Sequence, residues 1–333
     1  MKSIKILYAV QATGNGHIAR AVELLPYLSK YGKVDVFLSG NNSSLRPDLP
    51  VRYRSKGLSL FYKKNGGLDK WRILLQVNPF RILKEAKKLP VKSYDLVIVD
   101  YEYITALACK LRRKKFWHIG HQASFDSPLT PRPFKKEAIS EWILKNYCKS
   151  SNKLGFHFES YEDWILPPII KQQLWDAKPS ISNHFTVYLP HYSRDVIRRY
   201  LYGMDGYHFE IFSKDISQSK KEYNLNWKPI SNAAFANSLL HCKGLITGAG
   251  FETPAEALFL DKPMIVIPIK GQYEQYCNAA ALEAFGVLVI PRLDIHFNLI
   301  FTNWAKKDHS YPKKPEFITT EMAVNLLMNK ALA

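Results

Sequence analysis

Nowhere in the 333 residues do eighteen apolar side chains run together, so no segment reads as a membrane-spanning helix. Cysteine is scarce. Cys109, Cys148, Cys242 and Cys277 have neither zinc-ligand nor disulfide-framework spacing. They read as reduced thiols, which points to a cytoplasmic protein. The first residues, "MKSIKILYAVQATG", are not expected to act as a signal peptide: the apolar run is short, and a glycine-rich turn stands where a cleavage region would be. Repeats and low-complexity segments are absent. Acidic residues are also in deficit, with 29 Asp+Glu against 47 Lys+Arg and a net charge of +18. The deficit is uneven. Residues 1–165 hold 29 basic against 14 acidic side chains, a net of +15, and residues 166–333 hold 18 against 15, a net of +3. The first half therefore suits an anionic partner: nucleic acid, an acidic membrane surface or a phosphorylated acceptor.

What is present is a 47% hydrophobic chain, longer than one core usually supports, so two domains are expected. Short apolar runs recur: "IKILYAV" (4–10), "KVDVFLS" (33–39), "YDLVIVD" (94–100), "KFWHIG" (115–120) and "KLGFHF" (153–158). Helical patterns such as "HIARAVELLPYLSKYG" separate many of them, and Gly32 supplies a stop. Apolar strands alternating with helices predict a parallel sheet covered on both faces. Pro167-Pro168 fits neither a helix interior nor a central strand and reads as the linker. The pattern restarts after it with "NHFTVYLP", "YHFEIFS", "KGLIT", "PMIVIP" and "GVLVI". The expected fold is α/β, two tandem Rossmann-like, doubly wound domains with a cleft between them. Their expected bounds are residues 1–165 and 168–315, with a final helix in 316–333 packing back on the junction.

The densest motif lies in residues 227–279. The strand "GLIT" ends in Gly248-Ala249-Gly250, where backbone can come close to a ligand, and a helix opens near Thr253-Pro254. Free N–H groups and the positive dipole end of such a helix suit a diphosphate. Glu256, in the first turn, could accept both hydroxyls of a ribose. Trp227 and Pro229, Gly250, Thr253, Glu256, Pro268, Glu274-Gln275 and Asn278-Ala279 follow in an order that resembles the donor signature of GT-B nucleotide-sugar glycosyltransferases. The UDP-glycosyltransferases and MurG-like enzymes are the nearest likenesses, in detail over about fifty residues. The resemblance implies that Pro229 and Ile230 contact the base through backbone groups. It implies that Gly250, Phe251 and Thr253 hold the diphosphate, Glu256 the ribose, and Glu274 and Gln275 the sugar. One departure stands out. Many relatives place a histidine in the glycine turn, where this chain has Gly248, so phosphate neutralisation is left to the helix dipole or to Arg194.

In that family the first domain takes the acceptor, and its first turn carries Gly-x-Gly-His. "TGNGHIARA" matches with Gly14, Asn15, Gly16 and His17. The helix dipole disfavours the charged imidazole, and a neutral ring is what a general base needs. Asp100 ends the strand "YDLVIVD" at the same rim, where it could orient His17 or instead cap the next helix. Glu102 is a rival base, and His121 and Gln122 are expected to line the acceptor side. The resemblance implies an inverting hexosyl transfer from a nucleotide sugar, a UDP-sugar first, to a hydroxyl acceptor. It implies no metal, no cofactor beyond that co-substrate, and no specific nucleic acid. The basic, aromatic-rich stretches "FYKKNGG", "LRRKK" and "PRPFKK" favour a lipid-linked or cell-envelope acceptor met at the inner face of a membrane. The alternatives are a sugar-nucleotide epimerase of the same fold and a basic nucleic-acid-binding protein, the latter without an RNA-binding motif.

Overall fold

The computed structural model describes residues 4–12, 15–40, 49–57 and 77–333. Gly14, the side chain of Asn15 and the stretch "FYKKNGG" (61–67) lie outside the described residues.

The apolar runs become strands because both of their faces are covered. In β1 (Ile4–Gln11) every residue from Ile6 onward is buried, which only a central strand of a two-sided sheet requires. With β2 (Gly32–Ser39), β3 (Val51–Ser55), β4 (Leu96–Asp100), β5 (Trp117–Gly120), β6 (Asn152–Phe156) and β7 (Ile165–Leu166), it forms a parallel sheet in the order β3-β2-β1-β4-β5-β6-β7. The chain then passes Pro167-Pro168 into a short strand, β8 (Ile169–Ile170).

A second sheet contains β9 (Phe185–Tyr188), β10 (Phe209–Ser213), β11 (Lys220–Glu222), β12 (Leu225–Pro229), β13 (Gly244–Thr247), β14 (Met264–Val266) and β15 (Leu288–Val289). Its order is β11-β12-β10-β9-β13-β14-β15, parallel except for the edge pair β11–β12. The chain is thus two Rossmann-like units in tandem. Finally β16 (Ile318–Thr319) pairs with β8, and the helix Thr320–Leu332 returns to the first unit. Val324 and Leu327 join Leu24 and Leu28 of the helix Asn15–Leu28 in one apolar cluster. Tyr31 Oη donates to Asn325 Oδ1 at 2.7 Å, and Thr320 Oγ1 donates to Glu23 Oε1 at 3.0 Å.

Each sheet reverses its winding once. In the first, the connections leave β1 for β2 on one side and reach β4 on the other; in the second, β9 lies between β10 and β13 in the same way. Open parallel sheets bind ligands at such reversals, beyond the carboxyl ends of the strands. Those ends carry His17 and Asp100 in one unit and the Gly248–Gly250 turn in the other. The four cysteines are all buried and unpaired.

Candidate active site

His17 is the third residue of the helix Asn15–Leu28, and Asp100 is the last residue of β4, which pairs with β1. The pairing brings the two together, with His17 Nδ1 2.8 Å from Asp100 Oδ1. Arg20, one helical turn beyond His17, closes on the same carboxylate. Its Nε donates to Oδ2 at 2.9 Å and its Nη2 to Oδ1 at 3.0 Å. Burial acts to raise the Asp100 pKa, but the Arg20 guanidinium and then His17 outweigh it and hold the carboxyl at about 2. An ionised carboxylate can only accept, so the His17 nitrogen that faces it, Nδ1, is a donor. Arg20 Nη2 also comes within 3.1 Å of Nδ1, but a guanidinium cannot accept, so its N–H serves Asp100. His17 Nε2 faces the Gln122 amide at 3.5 Å.

Gly120, at the end of β5, makes this cluster possible. Its φ of +116° and ψ of 176° lie where side chains are strained, and a Cβ there would stand 2.8 Å from Asp100 Oδ1 and 3.3 Å from Arg20 Nη2.

The helix Asn15–Leu28 meets the chain just past the second glycine turn. A Cβ on Gly16 would lie 3.4 Å from Glu252 Cγ, and Arg20 Nη1 donates to Glu252 Oε1 at 2.8 Å. Gln122 Nε2 donates to Glu274 Oε1 at 3.0 Å. His121 reaches the Phe156 carbonyl oxygen through Nδ1 (2.9 Å) and Asn278 Oδ1 through Nε2 (2.6 Å), and it stacks on Phe251 at 4.1 Å. The cleft is closed by these bonds. A cavity lined by Arg20, Glu23, Lys171, Glu252 and Glu256 has a volume of about 20 Å³, room for one water.

The helix Glu252–Phe259 begins directly after the turn, with no side chain capping its first amides. Gly250 is open on its Cβ side, Phe251 is buried, and Thr253 is half-buried in the first turn. Glu256 is paired with Lys171 Nζ at 2.7 Å, a cation the linker supplies just after β8. Gln275 Oε1 accepts from the amides of Ala249 and Ile269 at 3.1 and 2.9 Å, tying two loops of the second unit together. Ile230 follows β12 on the same rim, next to Ser231, which caps the helix Asn232–His241. Arg194 points elsewhere: its Nη2 donates to Glu222 Oε2 at 3.3 Å and its guanidinium lies over the Trp227 ring. Glu102 caps the helix Tyr103–Leu111, with its two carboxylate oxygens taken by the amides of Ile104 and Thr105 at 2.9 and 2.6 Å.

Sequence reasoning missed Arg20, Gly120 and Lys171. The first had a usable signal, its three-residue offset from His17 on one helix face. Lys171 had none, because its partner lies 85 residues away on another unit. Among the described residues, no three His, Cys, Asp or Glu side chains converge as a metal site, and no helix is long and apolar enough to cross a membrane.

A comparison with curated proteins found no significant match. Solved structures match over nearly the whole chain. One is Arabidopsis thaliana UGT89C1 complexed with UDP-L-rhamnose, at 10% identity and TM-score 0.55, covering 100% of this chain and 95% of that one. Another is the glycosyltransferase VinC in complex with dTDP, at 13% identity and TM-score 0.52, covering 99% and 100%. A third is Acinetobacter baumannii MurG, at 13% identity and TM-score 0.53, covering 98% and 99%. At these identities the likeness is one of fold, and the fold is GT-B. The family described as "Glycosyl transferase family 1" matches residues 4–300, nearly the full length of both units, and the chain belongs to it.

Proposed function

We propose that the protein transfers a hexosyl unit from a nucleotide sugar, a UDP-sugar first among candidates, to an acceptor hydroxyl with inversion at the anomeric carbon. The observation that carries this reading is the His17–Asp100 hydrogen bond of 2.8 Å to a carboxylate that Arg20 keeps ionised. It leaves His17 Nε2 as the atom able to take a proton. In the reaction the acceptor oxygen attacks the anomeric carbon, and its proton passes to Nε2. The bond from that carbon to the diphosphate oxygen breaks, and its electron pair leaves with the nucleoside diphosphate. Asp100 then stabilises the imidazolium, as carboxylates do in His–Asp pairs. Charge on the leaving diphosphate is met by the uncapped amides and dipole of the helix Glu252–Phe259, with no metal required.

On this reading Glu256 exchanges Lys171 for a ribose, and donor entry parts the Arg20–Glu252, Gln122–Glu274 and His121–Asn278 contacts that hold the units together. The net +15 of residues 1–165 supports an anionic or lipid-linked acceptor met at a membrane surface.

The test is nucleoside diphosphate release from a panel of UDP- and dTDP-sugars. His17→Ala should lower turnover by about 10²- to 10⁴-fold, the usual worth of a general base. Glu256→Ala should raise the donor KM. If neither variant is impaired, the assignment of this site fails.

A further inference from the structure

His191 lies three residues beyond the end of β9, at the winding reversal of the second sheet and beside β13, whose end carries the glycine turn. The ring is 5% exposed, and neither of its nitrogens has a hydrogen-bond partner. Its Cε1, the carbon between those nitrogens, sits 3.7 Å from where a Gly248 Cβ would stand. Two other buried, unpartnered rings, His118 and His157, belong to the first unit. The Tyr192 ring lies 4.5 Å from the His191 ring, and the Gly248 Cβ position that His191 faces is also 3.5 Å from Gln275 Oε1 and 3.8 Å from the Ile267 carbonyl oxygen. The helix Glu252–Phe259 starts two residues past Ala249-Gly250, and the helix Arg194–Leu201 starts three residues past His191. Neither has a side-chain cap, so first-turn amides of both lack a side-chain partner. Burying an imidazole with both nitrogens unpaired is costly, and such a group beside the glycine turn is accounted for if a ligand completes it.

We propose that His191 is a side chain that binds the donor's diphosphate, standing in from the neighbouring strand for the group that Gly248 does not supply. The inference rests on the donor reading of the second unit given above. Burial pushes the ring's pKa down to about 3, so it is neutral when empty and offers one N–H to a phosphate oxygen. Gly250, with open space on its Cβ side, leaves the turn accessible to such a group. The small residue at 248 leaves the space that the His191 ring edge faces, and Arg194, the cation the sequence offered for the phosphates, is engaged by Glu222.

The test is calorimetric titration of the full chain with UDP and dTDP, and with uridine and thymidine, in wild type, His191→Phe and His191→Gln. Phe keeps the ring volume without a donor, and Gln keeps a donor. Binding of the nucleoside diphosphates should weaken by about 10- to 100-fold in His191→Phe, the range for a hydrogen bond to a charged group, and recover most of that in His191→Gln. Nucleoside binding should change less than about twofold, a shift too small to represent a lost hydrogen bond. On the wild-type protein alone, ¹⁵N resonances of the His191 ring should shift on adding UDP and stay in place on adding uridine, which holds even if the Phe variant does not fold. If wild type and His191→Phe bind UDP equally, or the ring does not respond to UDP, the assignment of His191 is overturned while the donor reading stands. If wild type binds neither nucleoside diphosphate, the donor reading falls and His191 with it.

Discussion

Arg20→Met separates what burial does to Asp100 from what the guanidinium does. Asp100 is fully buried, and burial alone raises its pKa; Arg20 is the largest opposing influence, and the result is a drop from 3.8 to about 2. At about 1.4 kcal/mol per pKa unit, that drop is worth about 2.5 kcal/mol of stability. The sign is that of a depressed carboxylate: the contribution is present above the unfolded pKa and lost as the pH falls from about 4 toward 2. Methionine fills much of the arginine's volume but leaves Asp100 with only the His17 ring and the Tyr8 hydroxyl as side-chain hydrogen-bond partners, and Glu252 without its arginine. Burial then dominates, the folded pKa of Asp100 rises above its unfolded value, and the ionised group opposes folding at neutral pH. Breaking a buried pair in this way costs about 3–5 kcal/mol. Urea unfolding followed by tryptophan fluorescence between pH 4 and 8 measures it. The gap between wild type and variant should be widest at pH 7 and should narrow as the pH falls, because protonation relieves the stranded carboxylate only in the variant. A gap under about 1 kcal/mol at pH 7, the size of a surface pair, or one that does not change with pH, would refute the argument.

Two further substitutions follow from the same cluster. Gly120→Ala forces a side chain into a glycine-only conformation and against Asp100 Oδ1, so it should cost about 1–3 kcal/mol in thermal unfolding. It should also lower turnover, because Asp100 must move; full activity at unchanged stability would contradict the packing described. Glu102→Ala removes a helix cap and should cost about 1–2 kcal/mol, with turnover per folded molecule falling far less than in His17→Ala. Equal losses in turnover would return Glu102 to the role of base.

How much of this was legible depends on the distance over which each feature is determined. The central strands were readable because a strand buried on both faces needs an unbroken apolar run, as "LVIVD" shows. Edge strands were not: "VRYRS" and "KKE" place charges on exposed faces and look like loops. The residue types at Asp100 and Glu102 could not say which caps and which pairs. The start of the helix at Tyr103 decides it, giving Glu102 the free amides and leaving Asp100, at the strand end, for His17 and Arg20.

The position of the second glycine turn was readable, because a strand, a glycine turn and a helix are contiguous in sequence. The relation between the two units was not. Arg20 meets Glu252 across 232 residues, and Gln122 meets Glu274 across 152. In this closed arrangement most of the polar residues matched to donor or acceptor roles, Glu256, Glu274, Gln275, His121 and Gln122 among them, are bonded to protein groups. The side chains of such a site are largely self-satisfied when empty: groups matched to a nucleotide sugar face protein partners instead. On the proposed function a donor replaces specific protein bonds, so its affinity reflects the difference between the two sets of contacts. Loosening a domain contact, as in His121→Phe, which keeps a ring against Phe251 but removes the bond to Asn278, should then tighten donor binding. That outcome would distinguish a cleft that opens for substrate from two units fused for stability.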